Sequence, residues 1–378
     1  MNDHYCPLIF KGMYVERHSA DTSLVAPCCA ATGQVVNNSQ VNFDTNTLLL
    51  KLRAENQAGI ASKECSTCWD QEKYTGRSLR TSSIEYYHDS LHTPYQVSGL
   101  QQLDWNVEPI CNAKCIICSS YHSSAWAAED QKFDPDYALP IRTASRARNN
   151  SIIDAIDFST LKRVYFNGGE PVLSQDPELI LQRLADSGSL ETTQIAFNMN
   201  GSCMPSDQMI ALLKQAARVD VFFSIDGTEQ QFEYIRYPLK WNTVKDNIDK
   251  IMQLGVNEVC MATSLGIHNL HIAQRTQDWW HNFTKNYRGQ IIINNTYQLV
   301  GGLLSINSAS DALKHQLLKD FENAAGPVGE LITNCLSACT GNDQWIDRLH
   351  QLDDRRGLNW QQTLPELYRA TQLAGVAK

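Results

Sequence analysis

Three observations predict an α/β protein. Six short β-rich runs alternate with amphipathic stretches, three closely spaced cysteines follow the first run, and glycine-bearing or short polar loops follow the next three. The expected form is a partial (β/α)6, TIM-like barrel over residues 96–300. A small cysteine-rich N-terminal module precedes it over 1–95, and a helical C-terminal segment follows over 301–378. Strands that alternate with helical patterns build parallel sheets. In barrels of this kind the chemistry lies on loops at the C-terminal ends of the strands.

Composition bounds the setting. At 378 residues the chain is long for one ordinary small domain and suits a barrel-sized domain with appendages. Hydrophobic content of 43 % and charged content of 19 % describe a soluble globular protein. No stretch approaches the roughly 20 apolar residues that cross a bilayer. The start, Met1-Asn2-Asp3-His4-Tyr5-Cys6, lacks the basic segment and apolar run of a secretion signal. The expectation is a cytoplasmic protein without a membrane partner. A net charge of −9 argues against nucleic acid as the bulk partner, because duplex binding needs a basic face. Twelve cysteines at metal-ligand spacings fit a reducing compartment better than a disulfide framework.

The N-terminal module carries Cys6, the pair Cys28-Cys29, and Cys65-Ser66-Thr67-Cys68. Four thiolates, from Cys6, Cys28 or Cys29, Cys65 and Cys68, close a metal site. Spacing alone is compatible with zinc and with a fully ligated iron–sulfur cluster. Either would staple a segment with little apolar content of its own.

The expected strands are Leu103–Val107, Arg163–Phe166, Gln194–Asn198, Asp220–Ile225, Glu258–Ser264 and Gln290–Asn294. Helical patterns lie between them, such as Glu178–Asp186 and Ser206–Ala217, the latter opened by Pro205 and capped by Ser206 or Asp207. Beyond Gly301-Gly302 the pattern is helical. Asn342-Asp343 caps a stretch to Gly357, and Trp360–Thr371 reads as the last helix.

After the first strand comes Cys111-Asn112-Ala113-Lys114-Cys115-Ile116-Ile117-Cys118, a C-x3-C-x2-C motif. Electron-transfer clusters usually take four cysteines. Three hold three corners of a 4Fe–4S cube and leave one iron open to a small molecule. After the second strand comes Asn167-Gly168-Gly169-Glu170-Pro171, whose glycines admit a close-lying ligand and whose Glu170 can accept from an ammonium group. After the third comes Asn198-Met199-Asn200-Gly201-Ser202, and after the fourth Ser224-Ile225-Asp226-Gly227, with Arg236 beyond. Ser224 and Asp226 suit ribose hydroxyls, and Arg236 offers a fork for a carboxylate. Taken singly, several of these are ordinary turn signals; together they fall at the same end of successive strands.

The triad and the loops in this register resemble the radical S-adenosylmethionine (radical SAM) superfamily. The resemblance implies that Cys111, Cys115 and Cys118 bind a 4Fe–4S cluster whose open iron chelates S-adenosylmethionine. It further implies reductive cleavage to a 5′-deoxyadenosyl radical. Gly168, Gly169, Glu170, Asn200, Ser224, Asp226 and Arg236 would then position S-adenosylmethionine, with Ile117 against adenine where many members have an aromatic residue.

Cys6-Pro7, Pro27-Cys28-Cys29 and Cys65-x2-Cys68 with Glu72, Gly76, Ser78 and Arg80 resemble the N-terminal part of the twitch-domain group. This implies an auxiliary 4Fe–4S cluster on Cys6, Cys28, Cys65 and Cys68, and favours Cys28, directly after Pro27, over Cys29. The tryptophan usual soon after the first cysteine and the glycine usual before Pro-Cys-Cys are absent here. Ser119 to Trp126 and the segment from Leu352 to Gly357 resemble the same group, so the resemblance runs nearly the whole chain.

By analogy with that group, the expected reaction is an oxidative cross-link or dehydrogenation of a ribosomal peptide or protein side chain, with flavodoxin or ferredoxin as reductant. Two alternatives remain. One is radical SAM tailoring or epimerisation of a small molecule or nucleotide, with Cys203 as hydrogen-atom donor; the other is a non-catalytic iron–sulfur or zinc protein. Tyr121 and His122 read as caps or as substrate-facing residues. Cys335 and Cys339 share a helix face and read as a buried pair or two metal ligands, and Cys260 reads as core.

Overall fold

The computed structural model describes residues 2–19, 21–88, 92–106, 108–139, 150–324, 326–337 and 341–376. Val107 and Cys339, both named above, lie outside the described residues. The chain divides into two compact units. The first comprises Met1–Cys111, Ser120–Asn198 and Pro205–Asp220; the second comprises Asn112–Ser119, Met199–Met204 and Val221–Lys378. No helix among the described residues is long and apolar enough to cross a membrane.

The first unit is built on β1 (Gly12–Arg17), β2 (Thr22–Ala26), β3 (Gln34–Asn37), β4 (Gln102–Asn106), β5 (Arg163–Phe166) and β6 (Gln194–Met199, its last residue belonging to the second unit). Their order is β3-β2-β1-β4-β5-β6. β1, β4, β5 and β6 are parallel, while β2 and β3 fold back antiparallel. The N-terminal strands therefore extend the sheet that the later strands build, with Glu16 opposite Asn106. Met13-Tyr14-Val15-Glu16-Arg17 does not alternate because every residue of β1 is buried, as in strands covered on both faces. Helix Asp176–Asp186 lays Ile180, Leu181 and Leu184 into this core. Helix Asp207–Leu213 is shorter than its sequence pattern and starts from the Ser206 cap.

The second unit carries the end of β7 (Arg218–Ser224), β8 (Glu258–Leu265) and β9 (Ile292–Leu299), in that order. β9 is parallel to β8 over eight residue pairs. It runs later than the expected Gln290–Asn294, since pairing with β8 carries it through polar residues that hold no strand pattern. Helix Trp241–Gln253 buries Val244, Ile248, Ile251 and Met252. Helix Trp345–Arg356 ends at Gly357. The last helical stretch is two pieces, Trp360–Thr363 and Pro365–Leu373, because proline cannot continue the first. Asp353 ties this segment down, accepting from Tyr234 Oη at 2.8 Å and from Trp360 N at 2.6 Å.

Candidate functional site

The N-terminal cysteines meet in the first unit. One pocket is lined by Cys6, Cys28, Cys65 and Cys68, with Pro27 and Arg80 on its wall. Cys29 is exposed and does not line it. Cys6 and Cys28 belong to an apolar cluster with Tyr5, Leu8, Phe10 and Leu52. Burial in these surroundings pushes the Cys6 thiol up to about 12 and the Cys65 thiol to about 11, and holds Cys28 well above the usual thiol range.

Local chemistry explains how Cys65 and Cys68 are presented. Cys65 precedes helix Ser66–Thr75, which Gly76 ends in the left-handed conformation at φ +68°. The chain then turns through Ser78, the cap of helix Leu79–Tyr86. Glu72 gathers both sides of this turn, accepting from Ser78 Oγ at 2.5 Å and from Arg80 Nε at 2.9 Å, while Arg80 Nη2 pairs with its other oxygen. Arg80 Nη1 donates to the Asp3 and Tyr5 carbonyls, each at 3.1 Å, so it fastens the segment before Cys6 to the Cys65–Cys68 helix.

Among the described residues, no group of three or more His, Cys, Asp and Glu side chains is spaced to hold one metal ion.

The glycine-rich loop also lies in the first unit. Glu170 is buried, and its N–H donates to Ile110 O at 2.7 Å, while Gly169 N donates to Glu108 O at 3.2 Å. The loop is thereby stitched to the residues leading into Cys111. A Cβ on Gly169 would stand 2.2 Å from Ile110 O, so only glycine permits the approach. Tyr121 is turned inward: its hydroxyl donates to Glu16 Oε1 at 2.6 Å, beside Tyr14 and Asn106 on the same carboxylate. His122 packs edge-on against Tyr121.

The second unit gathers the remaining candidates. Lys114 N donates to Tyr237 O at 2.6 Å and Ile116 N to Ile235 O at 2.8 Å, which sets Cys115 opposite Arg236. Arg236 Nη1 lies 3.8 Å from Cys115 Sγ, and Nη2 pairs with Asp226 Oδ2 at 2.7 Å. Asp226 Oδ1 accepts from Ser264 N at 2.7 Å. Both oxygens of Asp226 are thus engaged inside the protein. Burial raises the Asp226 carboxyl and the Cys115 thiol, and in each case Arg236 works the other way. Cys118 is half-buried, with its N–H donating to Cys115 O at 3.0 Å. Ile117 and Ser224 are half-buried as well.

A further network joins the motif to the loop after β6. Asn112 Nδ2 donates to Ser202 Oγ at 2.8 Å and lies 3.7 Å from Cys203 Sγ, and Asn200 Nδ2 donates to Asn112 Oδ1 at 3.0 Å. Cys260 is buried in β8, and Cys335 is half-buried.

Sequence reasoning passed over two residues here. Asn112 is one; its place directly after Cys111 was the available signal. The other is His268, buried after β8, with neither ring nitrogen hydrogen-bonded among the described residues. Burial, with Arg236 near, pushes it down to about 3, so it is neutral. Asn269 brackets this turn by donating to Asp226 O and Ser264 O and accepting from Gly266 N.

Comparison with known structures gives low overall likeness. The anSMEcpe structure with bound AdoMet is 13 % identical with a TM-score of 0.37, covering 65 % of this chain and 64 % of that one. Streptococcus suis SuiB bound to S-adenosylmethionine is 10 % identical with a TM-score of 0.35, covering 85 % of this chain and 69 % of that one. SuiB bound to its precursor peptide SuiA is 9 % identical with a TM-score of 0.35, covering 91 % of this chain and 74 % of that one. This chain thus spans just under two thirds of the length of anSMEcpe. No curated protein matches it. Residues 105–277 match the Radical SAM superfamily, a span that holds the cysteine triad and the loops after β5, β6, β7 and β8. Over these residues the chain carries a Radical SAM superfamily domain.

Proposed function

We propose that this chain is a radical SAM enzyme that uses S-adenosylmethionine to modify a substrate oxidatively, with a ribosomal peptide or protein side chain as the first candidate. The observation that carries this reading is the cysteine triad inside the Radical SAM domain. The residues fit the group: three thiol donors within eight positions, one of them buried beside a cation, are what a cluster with one open iron requires. Cys111, Cys115 and Cys118 would hold that cluster. When bound, it supplies the electron that cleaves S-adenosylmethionine to a 5′-deoxyadenosyl radical.

The protein's own contribution is orientation and exclusion of water. Glu170, buried at the end of a loop that Gly169 presses onto Ile110, would accept from the methionyl ammonium group. Gly168 and Gly169 would let the backbone lie close to the ligand. Asn200 and Ser224 would reach the ribose, and Ile117 would pack against adenine. Arg236 would meet the methionyl carboxylate, with Asp226 serving chiefly to aim it, since both Asp226 oxygens already have partners.

The N-terminal pocket would hold the auxiliary cluster on Cys6, Cys28, Cys65 and Cys68. Four thiols lining one pocket offer a full ligand set, and the exposure of Cys29 supports Cys28 as the fourth ligand. When bound, that cluster supplies an acceptor for the electron left after hydrogen abstraction, which is why the net reaction is written as an oxidation. A flavodoxin or ferredoxin would reduce the first cluster.

The test is release of 5′-deoxyadenosine after anaerobic iron reconstitution, reduction and addition of S-adenosylmethionine. Release by wild type and none by Cys115→Ala is expected. No release despite a reduced cluster would refute the enzyme and favour a non-catalytic iron–sulfur or zinc protein.

A second reading has one observation in its favour. Cys203 sits on the loop that Asn112 ties to the cysteine motif, where a thiol could return a hydrogen atom to a small-molecule or nucleotide radical in an epimerisation. Solvent deuterium appearing in product, and lost in Cys203→Ala, would favour it.

A further inference from the structure

Arg236 has more within reach than a carboxylate fork needs. It closes helix Glu229–Ile235, with its own N–H donating to Phe232 O at 2.8 Å. The two backbone bonds from Lys114 and Ile116 flank Cys115, so the cysteine cannot move away from Arg236 without breaking them. Across that short ladder one guanidinium nitrogen lies 3.8 Å from the sulfur and another lies 2.7 Å from Asp226. The pair is deeply buried, with side-chain exposures of 8 % and 0 %. Asp226 is fixed in turn by Ser264 N and by Asn269 on its backbone.

A buried ion pair is a weak stabiliser, because desolvation offsets its attraction. What it does well is hold a charge at a chosen atom in a low dielectric, where that charge acts strongly. The planar fork of arginine can serve a carboxylate and a sulfur together, which a lysine point charge cannot.

We propose that Arg236, aimed by Asp226, donates a hydrogen bond to the Cys115 sulfur and thereby raises the reduction potential of the cluster that Cys115 would ligate. This rests on the reading of Cys111, Cys115 and Cys118 as cluster ligands. Reduction adds one electron to the cluster and makes no bond. A neighbouring donor with positive charge stabilises the more negative reduced form, and hydrogen bonds to ligating sulfurs are among the determinants of cluster potential. Arg236 is here a positioning and tuning residue, apart from any contact it makes with S-adenosylmethionine.

The experiment is an EPR-monitored midpoint potential on the reconstituted full chain without S-adenosylmethionine, so that no methionyl carboxylate contributes. The signal followed is the one that Cys115→Ala removes. Arg236→Met is expected to move the midpoint to more negative values, Arg236→Lys to move it less, and Asp226→Asn to move it the opposite way by freeing the positive charge. An intact cluster with an unmoved midpoint in Arg236→Met overturns the proposal. If Arg236→Met assembles no cluster, unmoved midpoints in both Arg236→Lys and Asp226→Asn overturn it. If Cys115→Ala removes no signal, the cluster assignment fails first and takes the proposal with it.

Discussion

In the N-terminal pocket Arg80 commits its guanidinium to Glu72 and to the Asp3 and Tyr5 carbonyls, whereas Arg236 gives one nitrogen to Asp226 and turns another toward Cys115 Sγ. Both are arginine–carboxylate pairs beside thiols, but they do different work. Arg80 fastens chain segments together, and although its charge reaches Cys6 and Cys68, burial dominates at Cys6 and drives it far up, as it does Cys65. Arg236 acts on the sulfur itself and offsets part of what burial does to Cys115. On the proposed reading, one site would be closed and stapled, the other would hold a ligand at a tuned electrostatic position.

The widest separation between the two regions should come from cysteine removal. Cys68→Ala is expected to retain 5′-deoxyadenosine release while losing the oxidised product and much of the thermal stability, which product analysis and a melting curve would check. Loss of release in Cys68→Ala would mean that the two sites are not chemically independent.

Next in size is the counter-charge. Asp226→Ala leaves Arg236 buried without its partner and should cost about 3–5 kcal/mol in urea unfolding. Glu72→Ala exposes a pair that is already partly open to solvent, with side-chain exposures of 13 % and 18 %, and should cost clearly less. Equal losses would erase the distinction drawn between them. Gly169→Ala should cost about 1–3 kcal/mol through the forced retreat of Ile110, with weaker binding of S-adenosylmethionine in a direct binding assay.

The smallest effect concerns pH. Cys6 and Cys65 sit at about 12 and 11 in the folded chain against an ordinary thiol value of 9.0. A group whose folded value is raised contributes stability below its unfolded value and loses it as pH rises. Metal-free protein should therefore weaken progressively from about pH 9 upward. Cys6→Ala should flatten that slope in urea melts across pH.

Much of this was legible because the relevant residues carry local signals. The strands from Leu103 to Ser264 announce themselves by β-rich runs, and the triad, Gly168-Gly169-Glu170 and the Cys65–Cys68 pair by spacing. The Glu72–Arg80 bracket was visible as a pattern, but its geometry was not. β1 gave no alternation, since burial on both faces erases it, so its place beside β4 could not be read. The expected last strand stops short of the observed β9 because Asn294, Asn295 and Gln298 hold no hydrophobic pattern and owe their strand conformation to β8. The partners of Asp226 and the burial of His268 depend on residues far apart in sequence, and no local pattern encodes them.

The most direct measurement of the account is iron and acid-labile sulfide per chain in reconstituted wild type, Cys115→Ala and Cys65→Ala. Two cubes predict about eight irons in wild type and about four in each variant, with the S-adenosylmethionine-sensitive EPR signal lost only in Cys115→Ala. About four irons in wild type, unchanged by Cys65→Ala and accompanied by bound zinc, would contradict the two-cluster account.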